Sequence, residues 1–129
     1  MSSYGLTTGY FSNWAAAITS NTPFVMPVNA IQLYTGAPGP AGTANVSLIG
    51  VRQLCQLTFA SNIISLTGTT PTWYNVPDAE DITGFGLCTD LTAGYVWVTA
   101  PLANAEIDAV GDTFTITAIT LPFTVGVAS

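Results

Sequence analysis

Ionised side chains are scarce in this sequence of 129 residues. It contains no histidine and a single basic residue, Arg52, against seven acidic residues, so its formal net charge is −6. Charged residues make up only 6% of the chain, whereas about 25% is usual in soluble domains. Proteins that bind nucleic acid through its phosphates need many Lys and Arg side chains. We therefore expect no nucleic-acid partner.

The residues that most enzymes use as bases are also missing. Histidine and lysine, which commonly activate a Ser or Cys nucleophile, are both absent. Two carboxylates can hydrolyse a glycoside, but the acidic residues lie in apparent turns. The acidic segment PDAED (77–81) lacks the glycine-centred loop and closing Glu of a calcium site, and two cysteines cannot complete a zinc site. We expect no enzyme activity, no cofactor and no metal.

Long apolar runs are absent, and so is a basic region followed by an apolar one at the start of the chain. We therefore expect neither a membrane partner nor a cleaved export signal. A chain without an export signal usually keeps its cysteines reduced. Cys55 and Cys88 are accordingly interpreted as buried free thiols, with one disulfide as the alternative.

What the sequence does contain is a series of short β-like runs separated by Gly, Pro, Asn or Asp. They cover residues 30–35, 51–60, 62–67, 72–76, 82–90, 94–102, 112–119 and, less clearly, 122–127. Apolar residues alternate with polar ones in QLCQLTF (53–59), with Cys55, Leu57 and Phe59 on one face, and in TFTITAI (113–119), with Phe114, Ile116 and Ala118 on one face. This pattern predicts a mainly β fold: a β-sandwich or jelly-roll-like barrel of about eight short strands.

One short helix is predicted near the N-terminus, over SNWAAAITS (12–20). Ser12 or Asn13 can cap it, and Trp14 and Ile18 lie one turn apart on the same face. We divide the chain into an N-terminal segment, 1–27, and a β-sandwich domain, 28–129. The aromatic residues of the first segment are candidates for an interface arm that reaches a neighbour, because aromatic anchors dominate protein interfaces: Tyr4, Tyr10, Phe11 and Trp14.

The stretch YTGAPGPAGTAN (34–45) has a glycine at every third position, but the period is too short for a collagen-like triple helix. It is interpreted as an ordered loop, compact because glycine and proline favour turns, that crosses from one sheet to another. The residues expected to shape this loop are Gly36, Pro38, Gly39, Gly42 and Asn45. Gly111 and Asp112 are expected to form a second turn. Arg52 is expected to fix a loop by pairing with a carboxylate, or to reach a partner chain.

The order of several stretches resembles a family of small virion proteins of tailed bacteriophages, best known from phages of actinobacteria. These stretches are AIQLYTGAPGPAGTAN, VRQ, LTFA, ITGFGLCTDLTAG, APL and AVGDTFTITAITLPFT, and they span about residues 28–125. Members of the family are described as tail fibre, head fibre or capsid decoration proteins. The matching positions include Gln53, Gly86, Leu87 and Asp90, and the resemblance implies no catalytic residue among them. Val51, Gly84 and Cys88 depart from the family pattern.

Few charges and a high apolar content favour a protein that is packed permanently against other proteins. Together with the resemblance, this predicts a capsid decoration protein that binds the outer surface of the major capsid lattice and stabilises it. Its expected partners are the major capsid protein and copies of itself, with a trimer as one arrangement, after assembly in the host cytoplasm. The alternatives are a tail-fibre or other tail component, or a carbohydrate-binding adhesin that stacks sugars on Trp73, Tyr74, Tyr95 and Trp97.

Overall fold

A computed structural model describes residues 4–20, 28–77, 79–107 and 109–122. Within these ranges the chain forms one helix and eight strands. The elements are α1 (Thr8–Thr19), β1 (Asn29–Tyr34), β2 (Gln53–Ala60), β3 (Ile63–Thr67), β4 (Thr72–Trp73), β5 (Asp81–Cys88), β6 (Val96–Ile107), β7 (Phe114–Thr115) and β8 (Thr120–Pro122). The predicted mainly β fold with one N-terminal helix is confirmed.

Six strands form a nearly closed, barrel-like antiparallel sheet in the order β6-β5-β1-β2-β3-β8. Strand β2 belongs to both halves of this sheet: residues 53–55 pair with β1, and residues 56–60 pair with β3. The short strands β4 and β7 form a separate pair. Their Trp73 and Phe114 rings lie 5.8 Å apart, centroid to centroid, and both side chains are buried. The β4–β7 pair therefore packs into the apolar interior.

The interior is built mainly by the central strands. The core cluster contains Ile31, Leu33, Trp73, Val76, Ile82, Phe85, Leu87, Trp97, Val98, Ala100, Phe114, Ile116, Ile119 and Leu121. Phe114 and Ile116 are buried, as their alternation predicted, but the extended run that was expected over 112–119 shrinks to the two residues of β7. Ala118, predicted to share their face, is exposed and the next buried side chain is Ile119, so the alternation ends at Ile116.

The helix begins four residues earlier than the sequence suggested. Thr7, rather than Ser12 or Asn13, is the N-cap, and its Oγ1 accepts a hydrogen bond of 3.3 Å from the backbone N–H of Tyr10. The residues just before α1 run beside β6: Thr7 N–H donates to the Trp97 carbonyl (3.1 Å), and Thr99 N–H donates to the Gly5 carbonyl (2.8 Å). This pairing places the start of α1 on the sheet, so the helix begins where tertiary contacts allow it.

The loop between β1 and β2 does not cross between sheets, and that prediction is wrong. Strands β1 and β2 are antiparallel neighbours in one sheet, and the bridge between Tyr34 and Val46 continues their approach. The loop is thus an excursion from a hairpin. The expected boundary at residue 27 and most of the run 122–127 lie outside the described residues. Among those that are described, no helix has the length and hydropathy needed to cross a membrane.

Candidate docking surfaces

The inner face of α1 is fitted closely to the barrel. A Cβ added to Gly9 would lie 2.6 Å from Cδ2 of the Tyr95 ring, so the helix approaches this ring at a distance that only glycine allows. Asn13 Nδ2 donates a hydrogen bond of 2.8 Å to the Tyr95 hydroxyl. The rings of Tyr10 and Trp97 lie 6.1 Å apart. These contacts fix both the position and the rotation of the helix.

The opposite face of α1 carries three large apolar side chains that the barrel does not cover. Phe11, Trp14 and Ile18 are 51%, 49% and 62% exposed. Their spacing of three and then four residues aligns them along the helix, and we call this row the outer stripe. Contiguous exposed apolar surface commonly marks a contact with another protein. The outer stripe is therefore the leading candidate for a docking surface.

The four aromatic residues predicted as interface candidates do not share one surface, although the Tyr10 and Phe11 rings are in edge-to-face contact at 5.5 Å. Phe11 and Trp14 belong to the outer stripe, whereas Tyr10 faces Trp97. Tyr4 lies over the sheet, where a Cβ on Gly84 would come within 2.5 Å of its ring. The sequence placed Ile18 on one helix face with Trp14, but Ile18 was not among the predicted interface candidates. The spacing from Phe11 would have identified it, had the helix been predicted to begin at residue 8.

Charge is distributed unevenly along the chain. Arg52 is the only ionised side chain among residues 1–77, and all the acidic residues fall between positions 78 and 112. Helix α1 and the loop that follows β1 are thus uncharged. Because buried interface cores are depleted of charge, this neutral part of the molecule is better suited to permanent contact than the acidic part.

The loop over residues 35–45 lies between the sheet and the start of α1. Gly39 and Gly42 adopt φ values of +78° and +74°, and Asn45 Nδ2 donates to the Ala37 carbonyl at 2.8 Å. The loop also receives hydrogen bonds from outside: the Tyr34 hydroxyl donates to the Gly42 carbonyl at 2.7 Å, and Thr8 N–H donates to the Pro40 carbonyl at 2.9 Å. The loop therefore holds the first residue of α1.

Of the other residues predicted to shape this loop, Pro38 is buried and its carbonyl accepts the N–H of Ala44 at 2.9 Å. Gly36 packs against the side chain of Asn45, which would lie 3.3 Å from a Cβ added to Gly36. The second predicted turn is held in a similar way. Gly111, with φ +89°, donates its N–H to the Val76 carbonyl, and the Asp112 carboxylate accepts the N–H of Ala109 at 2.9 Å.

Arg52 lies between β1 and the loop that joins β5 to β6. Its Nε donates to Gln32 Oε1 at 3.1 Å, and its Nη1 donates to the carbonyls of Asp90 and Ala93, both at 2.8 Å. All three acceptors are neutral, and Asp90 contributes its backbone rather than its carboxylate. The arginine thus holds this loop against the sheet, and its pairing with a carboxylate stays a prediction.

Glu80 has a structural role that the sequence did not reveal, since the acidic residues were expected only to lie in turns. Its carboxylate accepts hydrogen bonds from Ser47 Oγ at 2.5 Å and from Leu48 N–H at 2.6 Å. Such bonds to an ionised group are stronger than neutral ones. Glu80 therefore ties the segment before β2 to the segment before β5, a contact between residues that are 32 and 33 positions apart.

Both cysteines are free thiols in the structure. Burial raises the pKa of Cys55 and of Cys88 to about 11, and it raises the pKa of the Tyr34 hydroxyl to about 12. A protonated thiol is a poor nucleophile. Within the described ranges, Cys, Asp and Glu side chains form no group of three or more that could hold a metal ion.

The aromatic residues considered for sugar stacking are mostly internal. Trp73 and Trp97 are buried, and their indole N–H groups donate to the Val51 carbonyl (2.6 Å) and to Asn29 Oδ1 (3.0 Å). Tyr95 lies under α1, and Tyr74 is exposed. The four rings therefore do not form a shared exposed platform.

Helix α1 is docked closely on the small β barrel and presents an uncharged apolar stripe on its outer face. A family model described as Podophage GP4 fiber I protein gp80 matches residues 7–124, and the chain belongs to this family of phage fibre proteins. The protein is thus a structural component of a phage virion. The match begins at the N-cap of α1, so it includes the helix that the expected span of 28–125 left out. A comparison with curated proteins gave no match.

Proposed function

We propose that the protein is a subunit of an external virion fibre and that it docks on a larger virion protein through the outer stripe of α1. The observation that carries this proposal is the uncovered row of Phe11, Trp14 and Ile18 on a helix whose other face is fixed to the barrel. The fibre assignment is supported by the name of the family.

The size of the outer stripe indicates what kind of partner it needs. Three large side chains that are about half exposed present roughly 300 Å² of surface. Two such stripes facing each other would bury about 600 Å², less than the ~1,200 Å² of a typical specific interface. A groove that also covers the flanks of the helix would bury more. We therefore propose that α1 binds in an apolar, uncharged groove of a larger protein. That protein can bind several copies of this chain around a symmetry axis, and a trimer is one such arrangement.

The second candidate is a capsid decoration protein that binds the major capsid protein on the capsid exterior after assembly in the host cytoplasm. The first half of the chain favours this alternative, because it carries only one ionised side chain, Arg52, and copies can crowd on a lattice through this half with little mutual repulsion. A ligand that binds the assembled lattice better than free subunits stabilises it by mass action.

The number of copies per virion separates the two candidates. Quantitative mass spectrometry of purified virions should give a small number for a fibre subunit and hundreds of copies for a decoration protein. A count in the hundreds would contradict the fibre assignment. The expected actinobacterial host and the expected lack of enzyme activity stay predictions.

The docking surface is tested by two matched substitutions in phage supplied with the variant chain. Trp14→Ser removes the centre of the outer stripe, and Leu48→Ser removes another exposed apolar side chain, which is 67% exposed in the segment before β2. We expect Trp14→Ser to lower incorporation into virions at least about tenfold, as for an interface hot spot, and Leu48→Ser to leave it unchanged. Full incorporation of Trp14→Ser chains that fold normally would refute docking through this helix.

A further inference from the structure

Arg52 has donors that the fold does not use. A guanidinium group carries five N–H donors, and the hydrogen bonds to Gln32, Asp90 and Ala93 occupy three of them. Within the described part of the chain, Nη2 donates no hydrogen bond, and no carboxylate forms an ion pair with Arg52. The group is thus held in one orientation by neutral acceptors, and among the described residues no carboxylate supplies a counter-ion for its positive charge.

Besides a smaller cavity next to α1, Arg52 lines a cavity of about 530 Å³. The residues that line it are Gln32, Gly50, Val51, Arg52, Leu91 and Thr92. Val51 and Leu91 give it apolar walls and are 63% and 39% exposed. The Thr92 hydroxyl can donate a hydrogen bond, and Arg52 supplies the charge. The cavity therefore offers one cation and one hydroxyl between aliphatic walls.

We propose that this cavity receives a single carboxylate on an aliphatic stem, namely a Glu side chain of a neighbouring virion protein. A carboxylate supplies the missing counter-charge through charge-assisted hydrogen bonds, and an aliphatic stem suits the Val51 and Leu91 walls. The source is protein rather than an acidic sugar, because no aromatic ring on which a sugar could stack lines this cavity. One oriented ion pair in a neutral surface also fixes the register of an interface.

The identity of the neighbour rests on the proposed function, but the site can be tested on the free full-length chain. Because the chain has one arginine and no lysine, its guanidinium NMR signals need no assignment by mutation. The probe is a blocked Ala-Glu-Ala tripeptide, and blocked Ala-Gln-Ala is the control. We expect saturable shifts of the Arg52 Nε and Nη signals with the first peptide only, weakened when NaCl is raised to about 1 M, where charges are screened beyond ~3 Å.

Two substitutions separate binding from folding. Arg52→Gln should lower the affinity for the Glu peptide at least about tenfold, but it can also release the loop that Arg52 holds. Leu91→Glu keeps Arg52 and its three hydrogen bonds, and it places a carboxylate in the cavity. We expect this variant to fold normally and to bind the Glu peptide at least about tenfold more weakly, because its own side chain occupies the site.

Equal shifts with the Gln peptide, or unchanged affinity in Leu91→Glu, would overturn the proposed site. Tighter binding of N-acetylneuraminic acid than of the Glu peptide would overturn the protein source in favour of a glycan. If the Glu peptide binds as expected but Trp14→Ser chains enter virions normally, the site holds and docking through α1 fails.

Discussion

Replacing Gly9 by alanine tests whether α1 is fixed to the barrel as the structure indicates. In an isolated helix this change would stabilise, because alanine is favoured over glycine by up to about 1 kcal/mol. In the folded protein the new methyl carbon would lie 2.6 Å from Cδ2 and 3.0 Å from Cγ of Tyr95. Unstrained carbon contacts lie at about 3.5–4.0 Å, so helix and ring must separate by roughly 1 Å.

The Tyr95 ring cannot turn away without a further loss, since its hydroxyl accepts the hydrogen bond from Asn13. Overpacking of this kind costs about 1–3 kcal/mol, which exceeds the gain in helix propensity. We therefore expect Gly9→Ala to lower the free energy of unfolding by about 1–2 kcal/mol. Denaturant titration followed by tryptophan fluorescence measures this change, because Trp97 lies beside Tyr10 on the docked face.

Ser12→Ala is the matched control, because Ser12 lies on the same helix and is exposed. It should gain a few tenths of a kcal/mol from propensity alone. In a Tyr95→Ala background, which opens the space, Gly9→Ala should become neutral or stabilising. A Gly9→Ala protein as stable as the wild type, or more stable, would refute the close docking of α1 and with it the fixed orientation of the outer stripe.

Three further substitutions or conditions test other contacts. Gly42→Ala should lower the free energy of unfolding by about 2–4 kcal/mol in thermal melts. The alanine would have to adopt a positive φ, and its methyl carbon would lie 2.8 Å from a valine Cβ of β6. The control, Gly111→Ala, also requires a positive φ but has nothing within 4 Å of its Cβ, so it should cost only about 1 kcal/mol. Glu80→Gln should lower stability by about 1–2 kcal/mol through its weakened bonds to the segment before β2, whereas the exposed Asp81→Asn should change it by less than about 0.5 kcal/mol. The folded state keeps the Cys88 thiol protonated up to its pKa of about 11, but the unfolded chain loses this proton near pH 9. Stability should therefore fall as pH rises from about 9 to about 11, and thiol labelling of folded protein at pH 8 should be slow; fast labelling of Cys88 would contradict its burial.

Local patterns in the sequence were sufficient for the fold class but not for the extent of each element. The alternation in QLCQLTF correctly placed Cys55 and Leu57 towards the core. Phe59 has the same phase but is 64% exposed, because it lies next to the turn at residues 61–62, where the hairpin extends beyond the core. Alternation identifies the face of a strand, whereas the position of the core along that strand depends on elements far away in the sequence.

Features that depend on strand order were the least predictable. The long connection over residues 35–52 suggested a crossing, yet β1 and β2 are direct neighbours. The contact between Glu80 and residues 47–48 is equally non-local, since it requires the segments before β2 and β5 to meet. The start of α1 depends on pairing between residues 5–7 and β6. In each case the structure depends on a contact between residues more than thirty positions apart, or on the order of the strands in the sheet.

The glycine-rich loop connects the fold to the proposed docking surface. Gly42 of this loop packs against β6, and its carbonyl accepts a hydrogen bond from the Tyr34 hydroxyl. The Pro40 carbonyl accepts a hydrogen bond from the first backbone N–H of α1. A methyl group at Gly42 must therefore displace the loop and, through Pro40, the start of the helix. If the outer stripe docks on a rigid groove, Gly42→Ala should reduce incorporation into virions more than Gly111→Ala does, even at a temperature where both variants are fully folded. Equal incorporation would mean that the loop supports stability alone and that the orientation of α1 is set by Tyr95 and Trp97.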